Sequence, residues 1–281
     1  MKYTLGLIGF PIKHSLSPWI HERFLKKANL NGSYSIWEIN SNDSFTEKIE
    51  VLKKRQVNGF NVTVPYKQKI IPYLDELDPA ANRIGAVNTV VYQNGKWKGY
   101  NTDGVGYVRS LEHKFPEACS SKNNRILIVG AGGAARGIYD ALAQNGFRQI
   151  DIANRTAVNA YEIAKLGITS TKTNVLNLEE AQKSIPGYDI VIQTTSVGMK
   201  PKQNSVVLSL DHVKETSIVS DIVYQPIRTK FLNQAEVNGA FIHYGHTMLL
   251  YQAQYAFEIW TNSLVSIDHM DDELQLILEG R

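Results

Sequence analysis

One short pattern recurs along this chain and limits what it can fold into: a helix-like segment, then Asn-Gly, then a β-branched or aromatic run. It occurs at Asn31-Gly32 before YSIWEI, at Asn58-Gly59 before FNVTV, at Asn145-Gly146 before FRQIDIA and at Asn238-Gly239 before AFIHY. A glycine just past a helix end supplies the left-handed residue of a C-cap, and a strand can follow at once. Repeating that junction builds a wound, parallel α/β sheet, and two of the junctions fall in each half of the chain. Asn94-Gly95 differs, because the strand-like runs VNTVVYQ and KWKGY flank it, so a two-residue hairpin turn is expected there.

At 281 residues the chain is long for one core, and two domains are expected. Residues 1–103 should hold a strand at Tyr3–Gly9, a helix from Pro18, a strand at Tyr34–Ile39, a helix near Asp43–Lys54, the NVTV strand and the hairpin. Residues 104–238 should form a second α/β unit, with PEACSSKNN as a surface connection before its first strand, Ile126–Val129. Residues 239–281 add a strand, an amphipathic helix over Gly245–Trp260 and a last helix near Asp271–Leu278, with the helices expected to pack back on the first domain.

Composition narrows the function classes. Hydrophobic residues make up 43% and charged residues 20%, an ordinary globular balance. The net charge is only +3, and no basic stripe interleaved with aromatics appears, which argues against a nucleic-acid partner. No stretch approaches the ~18 apolar residues of a bilayer span. The opening MKYTLGLIGF reads as a strand rather than a signal peptide, and a cytoplasmic protein is expected. Cys119 is the only cysteine, which excludes an internal disulfide and a thiolate metal cage. The seven histidines lack HExxH spacing, so no metal site is expected, including at His243 and His246 around Gly245.

The run ILIVGAGGAAR is a buried strand followed by Gly130, Ala131, Gly132, Gly133, Ala134, Ala135 and Arg136. In a dinucleotide-binding βαβ unit the first glycine makes the tight turn and the second admits the pyrophosphate. The third position packs helix on strand and tolerates alanine, here Ala135. Helix N–H groups from about Gly133 onward would hold phosphate. About 20 residues on, where a NAD site places a carboxylate, the next strand ends in Asn154-Arg155-Thr156. A guanidinium suits a 2′-phosphate, so NADP is expected over NAD; the alternative is a solvated turn with Thr156 capping the next helix.

A second set of residues carries proton-transfer chemistry. In Asn61-Val62-Thr63-Val64-Pro65-Tyr66-Lys67 a β-branched strand runs into Pro65, which suits a helix start and would place Lys67 about one turn in. The positive field there disfavours a cation, so a lysine in that position needs a function. Ser15 and Ser17 precede a helix starting near Pro18; they read either as capping residues or as a seat for a substrate carboxylate. Asp103 follows a strand end and could cap the next helix or face a cleft. Asn88, in an apolar setting, needs polar partners, and a polyol would serve. His14 is a reserve proton donor.

Taken in order, GFPIKHSLSP, NVTVPYK, IGAVNT, GYNTDG, GAGGAAR, NRT, TTSVGM, YQPIRT and Gln252 resemble the shikimate dehydrogenase family over nearly the whole chain. The resemblance implies an N-terminal α/β substrate domain and a Rossmann-type, doubly wound NADP-binding domain. It implies reversible NADPH-dependent reduction of 3-dehydroshikimate to shikimate, by a monomer or homodimer without membrane or nucleic-acid partners. It further implies Lys67 and Asp103 as the catalytic pair, and Ser15 and Ser17 as the carboxylate seat. Thr63, Asn88 and Gln252 would hold ring hydroxyls. Gly130, Ala131, Gly132, Gly133, Ala134, Asn154, Arg155 and Thr156 would contact the cofactor's phosphates and adenosine. Ile222 and Gly245 would lie near the nicotinamide, and Tyr224 near the substrate. Two departures stand out. Asn159 replaces a frequent second basic residue, which weakens the expected 2′-phosphate grip, and Gln193-Thr194 replaces the usual Asn-Ala, with no bearing on chemistry expected. Rival readings are a quinate or dual quinate/shikimate dehydrogenase, a folate-type methylene dehydrogenase and a non-catalytic NADPH-binding regulator.

Overall fold

The computed structural model describes residues 2–280 and separates into two compact units. One comprises Met1–Thr102 with Gln252–Ser266, the other Asp103–Tyr251 with Ile267–Arg281. The expected closing segment 239–281 is thus divided between them. Its strand and its last helix belong with the second unit, and only Gln252–Ser266 groups with the first.

The first unit is built on six strands: β1 (Tyr3–Gly9), β2 (Gly32–Glu38), β3 (Gly59–Val62), β4 (Glu76–Leu77), β5 (Thr89–Gln93) and β6 (Lys96–Tyr100). They lie in the order β2-β1-β3-β5-β6-β4. The sheet is mixed, since β5 pairs antiparallel with both β3 and β6. Period-two alternation sorts β1 between two cores. Leu5 and Leu7 pack with Tyr34, Val91, Ala256 and Trp260, whereas Ile8 packs with Ile49, Phe60, Val62 and Trp97. Trp260, from the helix Gly245–Thr261, also donates its indole N–H to Val90 O at 2.8 Å. A Cβ on Gly59 would lie 2.3 Å from that indole, so this strand position requires glycine.

The second unit carries six parallel strands: β7 (Arg125–Val129), β8 (Gln149–Ala153), β9 (Val175–Leu176), β10 (Ile190–Gln193), β11 (Ile218–Asp221) and β12 (Phe241–Tyr244). Their order is β12-β11-β10-β7-β8-β9, the doubly wound arrangement with its switch point between β7 and β10. Ile126 and Ile128 of β7 enter one core and Leu127 and Val129 the other. A strand buried on both faces explains the unbroken apolar run in the sequence. The helices Asp103–Lys114 and Gly133–Gln144 touch backbone to backbone, since a Cβ on Gly104 would lie 2.1 Å from Gly137 O.

All four Asn-Gly pairs precede parallel strands, but by two different devices. Gly146 (φ 93°) and Gly239 (φ 81°) are left-handed residues just past their helices, as expected. In the first unit Asn29 (φ 54°) and Gln56 (φ 49°) take that conformation instead. Gly32 and Gly59 already belong to their strands, where close neighbours leave no room for a side chain. The hairpin is as expected: Asn94 and Gly95 both have positive φ, which matches a two-residue turn to the strand twist.

Candidate active site

In the first unit a line of polar side chains joins most of the residues expected to touch substrate. Ser15 Oγ accepts from the Ser17 amide at 3.2 Å and donates to Ser17 Oγ at 3.1 Å. The helix Ser17–Lys27 has Leu16 at its N-cap, so Ser17 is not the cap; the Ser15 hydroxyl accepts from the first helical amide, and both hydroxyls stand at the helix start. Ser17 lies beside Tyr34, whose hydroxyl donates to Asn61 Oδ1 at 2.7 Å. Asn61 Nδ2 then donates to Asn88 O and to Thr89 Oγ1. Asn88 Nδ2 donates to Thr102 Oγ1 at 2.9 Å, and Thr102 Oγ1 reaches Gln252 Oε1 at 3.4 Å. Asn88 sits just before β5, and its backbone continues the pairing on both sides, accepting from the Val62 amide and donating to Tyr100 O.

His21 backs this line, stacked on Tyr34 with ring centroids 4.4 Å apart. Burial pushes its imidazole down to about 3, so the ring is neutral. Burial likewise pushes the Tyr34 phenol up, against the opposing effect of Ser17. Both groups are therefore neutral: the Tyr34 hydroxyl bonds to Asn61, and His21 contributes its stacked ring.

Lys67 is not one turn into a helix. Val64 and Pro65 form a turn in which the Tyr66 amide donates to Thr63 O; a single α-type turn follows, with the Ile70 amide donating to Tyr66 O at 3.0 Å, and leads into a 3-10 turn at Ile71–Tyr73 rather than an α-helix. Proline suits a tight turn as well as a helix start, and the chain here takes the turn. The helix-field reason for singling out Lys67 therefore fails. What fixes its position is packing: Tyr66 is buried, stacks on Phe45 and donates to Ile39 O at 2.7 Å. The Lys67 carbonyl accepts from the Val87 amide at 2.8 Å, which sets the turn beside Asn88 in the chain. Thr63 bonds through its amide to Ile8 O, and Gly9 lacks a side chain where Thr63 Cγ2 lies. His14 is exposed.

In the second unit the expected cofactor residues cluster at the C-terminal ends of β7, β8 and β11. Gly130 has φ 116°, and a Cβ there would press on Thr194 Oγ1 at 2.6 Å. Gly132 and Gly133 open the helix Gly133–Gln144 without a side-chain cap, and a Cβ on either would meet nothing within 4 Å. Open space before unbonded helix N–H groups is what a pyrophosphate needs, so these residues fit a dinucleotide. Ala131 and Ala134 flank them, and Ala135 is fully buried in the core, as close helix–strand packing requires. Asn154 Nδ2 donates to Thr156 O at 2.9 Å across a turn that leaves Arg155 exposed. Thr156 occupies the N-cap of Ala157–Ala164 but its side chain makes no cap bond, which removes the capping alternative.

Ile222 follows β11, and Tyr224 lies half-buried two residues on. Gly245 begins the helix Gly245–Thr261, and a Cβ there would lie 2.5 Å from Ile222 O, so the two expected nicotinamide positions abut. Asp103 starts the helix Asp103–Lys114 and is buried, one residue after Thr102. His243 is engaged on both ring nitrogens, by Ser220 at 2.8 Å and Thr247 at 3.2 Å.

Sequence reasoning missed Tyr34, Asn61, Thr102 and His21. Asn61 carried a signal, being a lone amide in a β-branched strand run, but the others need the register of β1, β2 and β3 to be known.

A doubly wound parallel sheet with an uncapped glycine-rich helix start, joined in one chain to a polar-lined α/β unit, defines the class of dinucleotide-dependent oxidoreductases. Residues 7–90 match the shikimate dehydrogenase substrate binding domain, residues 111–224 the shikimate / quinate 5-dehydrogenase family, and residues 245–275 the shikimate 5'-dehydrogenase C-terminal domain. The chain belongs to the shikimate dehydrogenase family. A relative from Oceanobacillus iheyensis named shikimate dehydrogenase (NADP(+)) is 52% identical over 281 residues, covering 100% of both chains. Shikimate 5-dehydrogenase from Listeria monocytogenes, solved with shikimate and NAD, is 36% identical with a TM-score of 0.88, covering 97% of this chain and 96% of its own. Quinate dehydrogenase from Corynebacterium glutamicum, solved with NAD, is 27% identical with a TM-score of 0.89, covering 97% and 98%. Among the described residues no helix is long and apolar enough to cross a membrane.

Proposed function

We propose that this chain reduces 3-dehydroshikimate to shikimate, reversibly and with NADPH, in aromatic amino acid biosynthesis. The observation that carries the reading is the polar line from Ser15 to Gln252, buried at its middle and partly open at both ends. At one end it offers two hydroxyls at a helix start, which favours an anion, and at the other an amide cluster suited to neutral hydroxyls. A substrate with a carboxylate at one end of a polyhydroxylated ring has those two needs.

Within this reading Ser15 and Ser17 donate to the carboxylate, and Thr63, Asn88 and Gln252 hold the ring hydroxyls. Tyr224 completes the substrate contacts. NADPH, when bound, supplies the hydride. Lys67 supplies the proton that converts the developing alkoxide oxygen to a hydroxyl, and its neutral amine removes that proton in the reverse direction. Asp103 accepts a hydrogen bond from the same hydroxyl and orients it.

Gly130, Ala131, Gly132, Gly133 and Ala134 hold the cofactor's phosphates, Asn154, Arg155 and Thr156 its adenosine side, and Ile222 and Gly245 its nicotinamide end. Arg155, which is exposed, would meet the 2′-phosphate. Absorbance of the reduced cofactor, followed with shikimate or quinate and with NADP+ or NAD+, tests the reading in one experiment. Turnover fastest with shikimate and NADP+ is expected; preference for quinate and NAD+ would overturn it.

A further inference from the structure

Two buried side chains for which the proposed reaction has no use tie together the loops that follow β10 and β11. Gln193 and Asp221 end those strands and are paired in register. Both are fully buried. Gln193 Nε2 donates to Asp221 Oδ1 at 3.0 Å and to Val197 O at 3.0 Å, while its Oε1 accepts from the Thr195 amide. Asp221 Oδ1 also accepts from the Val223 amide at 2.9 Å, and Oδ2 accepts from Thr229 Oγ1 at 2.6 Å. The Ile222 amide donates to the Gln193 backbone carbonyl at 3.1 Å. Among the described residues no lysine, arginine or histidine pairs with Asp221, and burial pushes its carboxyl up to about 6.

An acid buried without a cation is costly, and an amide in its place, with one acceptor oxygen, could not accept from all three donors. What a carboxylate adds is short, charge-assisted bonds that hold donors from several segments in one geometry. Here those segments are the loop beginning Thr194-Thr195, the stretch Ile222–Tyr224 and the start of the helix Lys230–Val237. Gln193 is long enough to bond Asp221 and Val197 at once. The first two segments leave the C-terminal ends of adjacent strands, where an open α/β sheet binds its ligand. Ile222 is further confined by its contact with Gly245.

We propose that Gln193 and Asp221 form a positioning clamp for the nicotinamide half of the cofactor. It fixes Ile222–Tyr224 against the loop after β10, and neither residue touches cofactor or substrate. The proposal deepens the dehydrogenase reading and rests on it. It predicts a selective defect: the adenosine half is held elsewhere, at Arg155 and the glycine loop, and should not respond.

The test compares Asp221→Asn and Gln193→Met with the parent chain by calorimetric binding of NADP+ and of adenosine 2′,5′-bisphosphate, which lacks the nicotinamide. The clamp predicts NADP+ affinity reduced about tenfold or more, with adenosine 2′,5′-bisphosphate affinity within about twofold. In turnover, a displaced reacting carbon predicts kcat down by up to about 10²-fold, with an enlarged primary isotope effect from 4-deuterated NADPH. Equal loss of both ligands, or a lowered Tm with NADP+ affinity and kcat intact, would overturn the clamp. Gln193→Asn, which keeps an amide but shortens its reach, provides the comparison if Asp221→Asn does not fold. The binding arm needs no substrate, so absence of shikimate turnover in the parent chain would count against the proposed reaction alone.

Discussion

Asn88 and Thr102 hold each other from two directions: the Asn88 amide nitrogen donates to Thr102 Oγ1 at 2.9 Å, and the Thr102 backbone amide donates to Asn88 Oδ1 at 2.8 Å. With its nitrogen and oxygen both committed, the Asn88 amide can present only one orientation to a ligand. Thr102→Val keeps nearly the same shape and leaves Asn88 Nδ2 without this acceptor. It should cost about 1–3 kcal/mol in urea denaturation. It should also raise the KM for shikimate while the KM for NADP+ stays within about twofold. An unchanged shikimate KM would show that this pair does not shape the substrate site.

Ser15→Ala and Ser17→Ala should raise the shikimate KM and leave kcat nearly unchanged, because a carboxylate held equally before and during reaction contributes uniform binding. Because Ser15 accepts the first helical amide and Ser17 is buried, a loss of about 1 kcal/mol in stability should accompany the change. Steady-state kinetics beside a thermal melt separates the two effects. Equal KM values in parent and variants would place the carboxylate elsewhere.

Arg155→Ala should narrow the preference for NADPH over NADH, since nothing else at this turn brings a positive charge and Asn159 offers none. A charge-assisted bond to phosphate is worth about 1.5–3 kcal/mol, so the preference should fall by about ten- to a hundredfold. The ratio of kcat/KM for the two cofactors measures it directly.

Three buried histidines set the acid limit of folding. Burial pushes His21 and His243 down to about 3 and His246 to about 4, and for the last two the Lys114 ammonium adds to the effect. Unfolded, each titrates near 6.5, so the unfolded chain binds more protons below that pH and stability falls as pH drops from about 6.5 towards 4. Asp221 acts in the opposite direction, because its raised value lets the folded chain bind the extra proton between about 4 and 6. One group does not offset three. The Tm should fall steadily from pH 7 to 4.5, and a flat profile would mean that these rings are not buried neutral.

Much of the architecture was legible because its signals are local. The run ILIVGAGGAAR declares a strand buried on both faces, a tight turn and a helix start, and all three are present at β7, Gly130 and Gly133. The Asn94-Gly95 hairpin was equally clear, since a two-residue turn needs both residues at positive φ. The helix expected around Lys67 is absent, because proline initiates turns as readily as helices and packing by Tyr66 decides between them.

The polar line behind the serines was invisible for a different reason. Tyr34, Asn61 and Thr102 come from β2, β3 and the end of β6, and no spacing rule relates them until sheet order and register are known. Gln193, a departure from the usual Asn, was expected to have no bearing on chemistry; its partner Asp221 is 28 residues away and meets it only through the parallel pairing of β10 with β11.

The most direct test of the reading is kcat for Lys67→Ala with shikimate and NADP+, measured alongside NADPH affinity. Loss of the group that gives and takes the proton predicts a fall of about 10²–10⁴ in kcat, with the NADPH Kd unchanged. A variant that turns over at near the parent rate would contradict the role assigned to Lys67.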